Sequence, residues 1–468
     1  MPKTFPVEGF GLMKEMASTR SRWAHHDSVA MVVLAVVWLI TRGMLWLWYQ
    51  PMETMDSGGY RKLALEIATG DFTGYNGQRT PGYPMLIALA RQDGDLIWLV
   101  QSVMGLLIAL LVYKLLAEDC QIRAECGESV PRAPLLAGLL TLLALNSIFF
   151  EPYIGPETLS AFLLLVALYL FFRFIISGGR RLMLLASAAA MGILILARPQ
   201  FTVLAPIFFI LALAHLPRPN ARKAIAFLLI ALLPLLSWGI FNKMKLGEFT
   251  VTTLMGFNLT NHSGAIMEKA PDEYALYRDI YLKYRAIKIR ETGSHAMTIF
   301  LARQELRNVT GLGEPELADT YKEISIWLFV HYPIDYLGSI AKSWVSFWAV
   351  PNYWSLEMFR NDEIAKALRF FWPIIQFSLR GFNVLLVAVA PWVLWKGLIS
   401  MRQERIKVFL PVVLVTSVVG LSVFQALFEY GENPRYYIPS QALVIMVAAY
   451  YYGRISQRLR VKEVPSPI

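Results

Sequence analysis

The residues of this 468-residue chain whose types could do chemistry sit at a few junctions. Asp56 lies in METMDSGGY, just ahead of an amphipathic stretch from Tyr60 to Ala68. A solitary carboxylate there can take a proton as a general base. It can also simply cap its helix, a role aspartate often fills. After a turn-rich gap comes Arg79-Thr80-Pro81-Gly82-Tyr83-Pro84. Thr80 reads as an N-cap and Pro81 as a first-turn residue, opening a second amphipathic helix that feeds the next apolar run. Glu151 to Ser160 (EPYIGPETLS) carries two acids. Pro156 places Glu157 in the first turn of a helix, where the dipole favours an acid whatever its role. Arg198-Pro199 interrupts an otherwise apolar region, and Arg198 there must reach water or an anion, or snorkel. Arg435 lies in ENPRYYIP beside Tyr436, where aromatic neighbours can flank a ligand or form an interfacial belt. In GFNLTNH (256–262), Asn258 and His262 are suited to binding hydroxyl groups. His262 has no second histidine or acid at ligand spacing, so it does not read as a zinc ligand. Asn258-Leu259-Thr260 also fits a glycosylation sequon, which matters only in a eukaryotic secretory pathway.

Composition decides what can hold these junctions. Hydrophobic residues make up 56% and charged residues 17%, with a mean hydropathy of +0.47. A soluble chain carries roughly a quarter charged residues, so several water-facing domains are excluded and much of the surface must face lipid. Apolar runs near 29–49, 96–116, 133–150, 158–177, 182–197, 200–215, 224–242, 376–398, 408–427 and 437–453 predict about ten spans, with Arg198-Pro199 as a tight hairpin between two of them. The fold class expected is an all-α polytopic transmembrane bundle. Short basic loops give the orientation: Lys14, Arg20 and Arg22; Arg173, Arg180 and Arg181; Arg218, Arg222 and Lys223; Lys396, Arg402, Arg405 and Lys407; and a tail with Arg454, Arg458, Arg460 and Lys462. All fall on one side of ten spans, so both termini are expected in the cytoplasm. The net charge, 44 − 34 = +10, is then a loop bias and not a nucleic-acid footprint. No removable signal peptide is read at the start. Cys120 and Cys126 are placed in the reducing cytosol, where no bridge is expected, and His25-His26 read as solvated or interfacial. Two long segments are left on the outer side, about 50–95 and 243–375. Tyr336 to Val350 reads there as a helix in the interface. The expected organisation is a membrane core over 1–242, an outer-face region over 243–375 and C-terminal membrane helices over 376–468.

The order of the junctions carries a resemblance. Asp56, Tyr60 and RTPGYP are similar to the first outer loop of polytopic GT-C glycosyltransferases, such as bacterial aminoarabinose transferase and the protein O-mannosyltransferases. EPYIGPETLS resembles the acidic turn before that family's fourth span, and Ala197-Arg198-Pro199 its arginine-proline turn. NKMKLGEFTVTTLMGFN (242–258) is similar to the start of its central outer loop. HYPIDYLGSIAKSWVSFW (331–348) resembles its juxtamembrane helix, and ENPRYYIP its last outer turn. The similarity runs from about 30 to 450. It implies transfer of a sugar from a polyprenyl-phosphate donor to an acceptor on the outer membrane face, usually with inversion. Such a displacement needs one base to take the acceptor's proton. Phosphate leaves readily, so the second acid of a hydrolase can be replaced by positive charge. The resemblance therefore implies Asp56 as base, with Glu157 or Glu151 as a further acid facing the cleft. Arg198 and Arg435 are implied to meet the phosphate, with Arg79, Tyr60, Tyr83, Tyr436, Asn258 and His262 lining the site. Arg42, inside the first span, is expected to snorkel or to pair within the bundle. No metal site is read, and a need for a divalent cation is left open. The partners implied are the lipid-linked donor, the bilayer, and a glycan, lipid or protein acceptor. A bacterial inner membrane is implied as the location.

Two other readings are weighed against this one. A transporter or flippase would show repeated halves and a midplane charged site, whereas these residues lie at boundaries and no duplication is visible. A ligase or polymerase of lipid-linked glycans would place paired arginines and a histidine in its large outer loop, whereas here the acid lies in the first. No phosphate-binding P-loop or dinucleotide fingerprint occurs.

Overall fold

A computed structural model describes residues 8–125, 133–177, 180–215, 221–400 and 409–462; Cys126, Arg218, Arg402, Arg405 and Lys407 lie outside the described residues. The architecture is all-α, a helical bundle with a smaller helical unit seated on one end. In chain order the first part comprises α1 (Glu8–Trp48), α2 (Met55–Thr69), α3 (Gly82–Leu89), α4 (Gly94–Glu125), α5 (Pro134–Leu142), α6 (Leu145–Ile148), α7 (Glu157–Ile176), α8 (Arg181–Ala197), α9 (Leu204–His215) and α10 (Ala221–Leu246). The second unit is α11 (Met255–Ser263), α12 (Ala275–Thr292), α13 (Thr298–Thr310) and α14 (Glu314–His331). The chain then returns through α15 (Pro333–Phe347), α16 (Asp362–Ser400), α17 (Phe409–Phe428), α18 (Asn433–Tyr437) and α19 (Gln441–Lys462).

Among the described residues six helical stretches are long and apolar enough to cross a membrane: 27–48, 94–122, 157–176, 221–246, 362–399 and 409–428. Their outward faces are apolar: Leu39 is 65% exposed, Leu229 63% and Val384 68%. Exposed leucine and valine on this scale require lipid. This is a multi-pass membrane protein.

The remaining expected spans take other forms. Helices over 181–197 and 199–214 are apolar but shorter. The run expected as one span over 133–150 divides into α5 and α6. Its break has a cause, because Arg42 Nη1 donates to Leu142 O at 2.8 Å and buried Asn146 accepts from Gln441 Nε2 at 2.8 Å. Polar side chains thus satisfy backbone and amide groups where a continuous helix would need none. The last expected span, 437–453, begins as α18 and a 3-10 turn, and only then continues as α19. Leu443 to Val447 are all buried, so the apolar start of α19 is a core helix surrounded by α4, α5, α16 and α17.

At the arginine-proline break, α8 ends at Ala197 and Arg198 is extended (φ −150°, ψ 109°); a 3-10 turn, Pro199–Val203, then leads into α9. Proline has no N–H for α8 to use, and the hairpin follows. The second amphipathic helix starts later than expected. Pro81, not Thr80, occupies the N-cap position of α3, no side chain caps it, and Arg91 and Gln92 at positive φ separate α3 from α4.

The smaller unit has a core of its own, with Phe257, Tyr281, Ile299, Leu306, Leu317, Tyr321 and Leu328 packed between α11, α12, α13 and α14. It is tied to the bundle largely by polar contacts. Thr253 N donates to Gly77 O at 3.0 Å, Thr252 Oγ1 to Gln78 O at 3.0 Å and Asn242 Nδ2 to Thr250 O at 2.6 Å. Helix α15 is two-faced. Ser339, Ser343 and Phe347 are buried while Ile334, Leu337 and Val345 are exposed, the pattern of a helix lying along an interface.

Candidate active site

The sequence around Asp56 folds as it does because Thr54 and Ser57 close a capping box. Asp56 is therefore free of capping duty, and its carboxylate points to arginines. Arg79 Nη2 donates to Oδ1 at 2.5 Å and Arg435 Nη1 to Oδ2 at 2.6 Å. Burial alone pushes the Asp56 carboxyl up, but the two guanidiniums outweigh it and hold it at about 2. Asp56 is an anion at neutral pH.

The loop that carries Asp56 is stitched to the acidic turn. Met52 and Tyr153 form a parallel bridge, Ser57 Oγ donates to Ile154 O at 2.8 Å, and Gln101 Nε2 reaches the carbonyls of Glu151 and Tyr153 at 2.8 and 2.9 Å. Gly155 is required at this turn, since a Cβ there would collide with the Tyr153 ring and approach Glu157 Oε2 to 2.5 Å.

Glu157, at the start of α7, has no solvent exposure. Its Oε1 accepts from Arg198 Nη2 at 2.8 Å and also from Arg435 Nε. Two arginines thus converge on one oxygen, and Arg435 bridges both acids while also donating to Glu432 at 3.2 Å. Each cation rests on an aromatic face: Arg79 on Tyr60 at 4.7 Å, Arg198 on Tyr436 at 4.7 Å and Arg435 on Tyr153 at 5.2 Å. Tyr83 is buried edge-on to Tyr60 at 5.3 Å. One close approach assembles the two N-terminal arginines. Gly82 lies against the backbone of Leu196 and Ala197, and a Cβ would stand 2.5 Å from the Leu196 carbonyl carbon. The start of α3 can therefore reach the end of α8.

The cluster has unspent capacity. Arg79 Nε, Arg198 Nη1, Arg435 Nη2 and Glu157 Oε2 are buried without a hydrogen-bond partner. Buried donors are rarely left unmade, because each costs its desolvation. Three such donors on three arginines fit an anionic ligand rich in acceptors, such as a phosphate. Guanidiniums occupy the space next to Asp56, and among the described residues no three His, Cys, Asp or Glu groups cluster to hold a metal.

Other expected residues lie elsewhere. Glu151 lines one cavity with Glu157 but pairs away from the three arginines of the cluster. It is buried in the bundle and takes a bidentate pair from Arg42, Nε to Oε2 at 3.0 Å and Nη2 to Oε1 at 2.5 Å, so Arg42 pairs and does not snorkel. Asn258 and His262 are on α11, and neither contacts the arginines. His262 Nδ1 meets Ser339 Oγ at 2.7 Å, and burial pulls its pKa down to about 4.

Residues not singled out from sequence also belong here. Tyr153 carries Arg435, and Glu432 adds a third acid to it. Glu429 is buried just past α17, with Asn261 Nδ2 donating at 3.3 Å. Burial and the nearby Glu432 push it up to about 8, against the pull of Asn261. Tyr153 and Glu432 were visible within EPYIGP and ENPR, whereas nothing local marks Glu429.

No family model matches the chain and no curated protein matches it. Two solved structures resemble it. The archaeal oligosaccharyltransferase AglB from Archaeoglobus fulgidus, in complex with an inhibitory peptide and a dolichol-phosphate, is 13% identical with a TM-score of 0.48 over 95% of this chain and 53% of its own. The Archaeoglobus fulgidus oligosaccharyltransferase tethered to an acceptor peptide containing the NVT sequon is 15% identical with a TM-score of 0.48 over 94% and 50%. The chain spans about half the length of each.

Proposed function

We propose that this chain is a GT-C-type membrane glycosyltransferase that moves a sugar from a polyprenyl-phosphate donor to an outer-face acceptor with inversion. A glycolipid, lipopolysaccharide, polysaccharide or protein would each serve as acceptor. The observation that carries the reading is the junction cluster, in which a carboxylate anion stands beside three arginines that retain unmade donors.

In this reading the donor phosphate takes the free N–H groups of Arg198 and Arg435. Arg435 is then shared between phosphate and Asp56, its hold on the carboxylate weakens, and the Asp56 pKa rises from about 2 toward a value useful in a base. Asp56 takes the acceptor's O–H proton as the oxygen attacks the anomeric carbon. The bond from that carbon to the phosphate oxygen breaks, and the phosphate keeps the electron pair. The extra negative charge falls where the guanidiniums already point, so little reorganisation is needed. The lipid tail would enter laterally between helices. The basic-loop bias supports a bacterial inner membrane with both termini in the cytoplasm and the cluster on the periplasmic side.

The test is transfer from a radiolabelled polyprenyl-phosphate sugar by the purified protein. Turnover in wild type and a loss of about 10²–10⁴ in Asp56→Asn is expected. Normal turnover in Asp56→Asn would remove Asp56 as base. Substrate uptake by proteoliposomes without any transfer would replace the reading with transport.

A further inference from the structure

The turn that presents Arg435 is gripped from its far side by the smaller helical unit. Residues 429–435 run from the end of α17 into α18, and Gly431 among them has φ +118°, a backbone conformation that favours glycine. A turn this short cannot set its own orientation on the bundle, so its neighbours decide where the arginine points. Two of them belong to the bundle. Asn433 Nδ2 donates to Gln425 Oε1 of α17 at 2.8 Å and to Ser343 Oγ of α15 at 2.7 Å, while Ser343 Oγ donates to Glu429 O at 2.7 Å.

The third neighbour is the smaller unit. Gly431 packs against the loop before α13, where a Cβ on it would stand 2.6 Å from Ala296 Cβ. Tyr430 stacks on His295 with ring centroids 4.9 Å apart. Asn261 of α11, with no solvent exposure, joins the two sides. Its Oδ1 accepts from Met297 N at 2.9 Å, and its Nδ2 donates to Glu429 Oε1 at 3.3 Å. Its backbone carbonyl accepts from His295 Nε2 at 3.1 Å. Met297 is held at φ +64°, which is unfavourable for a residue with a Cβ. Such a conformation persists only where its surroundings over-determine it, and the Asn261 amide is one of those surroundings.

The other end of the turn carries the charge. Arg435 Nε reaches Glu157, and Nη1 reaches Asp56 at 2.6 Å and Glu432 at 3.2 Å. A guanidinium aimed at three carboxylates tolerates little movement of its backbone, and a misplacement of about 1 Å can cost about 10²-fold in rate.

We infer that Asn261 is a positioning residue for Arg435: through Glu429 and the loop 295–297, the smaller unit sets the turn from which that arginine meets Asp56, Glu157 and the donor phosphate. The inference rests on the glycosyl-transfer reading and gives the outer unit a part in it.

The test is a double-mutant cycle on full-length protein in lipid nanodiscs, read by affinity for a short-chain polyprenyl phosphate and by turnover per folded molecule. In the wild-type background Asn261→Ala should weaken lipid-phosphate binding about tenfold, the worth of one hydrogen bond. In the Arg435→Met background the same change should cost less than about twofold, because the group it aims is gone. A residue that only stabilises the smaller unit would cost the same factor in both backgrounds, and that result overturns the inference, as does unchanged affinity in Asn261→Ala. If the alanine variant fails to fold, Glu429→Gln and Glu429→Met carry the cycle. Glu429→Gln keeps an acceptor for the Asn261 amide and should bind the lipid phosphate about tenfold more tightly than Glu429→Met, a gap that should close in Arg435→Met. Equal binding by the two, or a gap that persists without Arg435, overturns the inference alone. Wild type that neither binds the lipid phosphate nor transfers from it removes the transfer reading and the inference together.

Discussion

Arg435 is the hub on which two acids depend, so Arg435→Met is the most informative perturbation. The arginine side chain is 8% exposed and that of Glu157 is 0% exposed. Removing one partner of a buried ion pair costs about 3–5 kcal/mol. Here each carboxylate keeps another cation, Glu157 retaining Arg198 and Asp56 retaining Arg79, so roughly half that cost, about 2 kcal/mol, is expected. Adding Glu157→Gln removes the stranded charge. The double variant should then be roughly 1–2 kcal/mol more stable than the sum of the single effects, a coupling of the size contacting residues show. Turnover should behave differently. If Arg435 also receives the leaving phosphate, its loss costs about 10²–10³ in rate, and neutralising Glu157 cannot return that. The assays are melting in detergent and transfer from a labelled polyprenyl-phosphate sugar. Recovery of turnover together with stability in the double variant would reduce Arg435 to a counter-ion for Glu157. Strictly additive melting effects would mean that the two side chains are not coupled at all.

Asp56→Asn should lose about 10²–10⁴ in kcat. Because wild-type Asp56 is held at about 2 without donor, kcat/KM should show no acid limb from Asp56 between pH 8 and 4, and a limb with a midpoint near 6 that disappears in a variant of another residue would identify that residue as the base. Glu429 is protonated in the folded protein up to about pH 8 but only to about 4.5 in an unfolded chain. It therefore favours the fold below pH 4.5, and that support is lost as pH rises toward 8; Glu429→Gln should stabilise the protein at pH 7.5 by roughly 2 kcal/mol, fading on acidification, as read by melting against pH. His262 acts in the opposite sense. Its folded pKa of about 4 lies below the usual 6.5, so stability is full above 6.5 and falls as pH drops toward 4, and His262→Gln should flatten this slope. Gly82→Ala should force α3 away from α8, costing about 1–3 kcal/mol and lowering turnover as Arg79 is displaced from Asp56; unchanged melting and rate would show that the approach is not tight.

Much of the site was legible because its residues occupy helix junctions, where local chemistry leaves a mark. Pro156 announces the first turn that holds Glu157, Pro199 the break that ends α8 at Arg198, and Pro434 the turn that presents Arg435. What could not be read is pairing across distance. Arg42 and Glu151 are separated by 109 positions, and nothing in either neighbourhood reveals that one neutralises the other; Glu151 therefore looked as available as Glu157. The division of 133–150 was hidden for the same reason, since its cause is Arg42 and Gln441 arriving from other helices. Apolar periodicity could not separate the start of α19 from a lipid-facing span, because a helix wrapped by protein and one wrapped by lipid have similar compositions. Glu429 depends on tertiary burial, which sequence spacing does not encode.

The bridging role of Arg435 also bears on biogenesis. Chains fold progressively from the N-terminus as they are made, and Asp56, Arg79, Glu157 and Arg198 all precede Arg435 by more than two hundred positions. A nascent chain halted short of that arginine carries two acids with one cation each and an open gap between them. The charge circuit therefore closes only once the segment that carries Arg435 has been made and has packed against the earlier junctions.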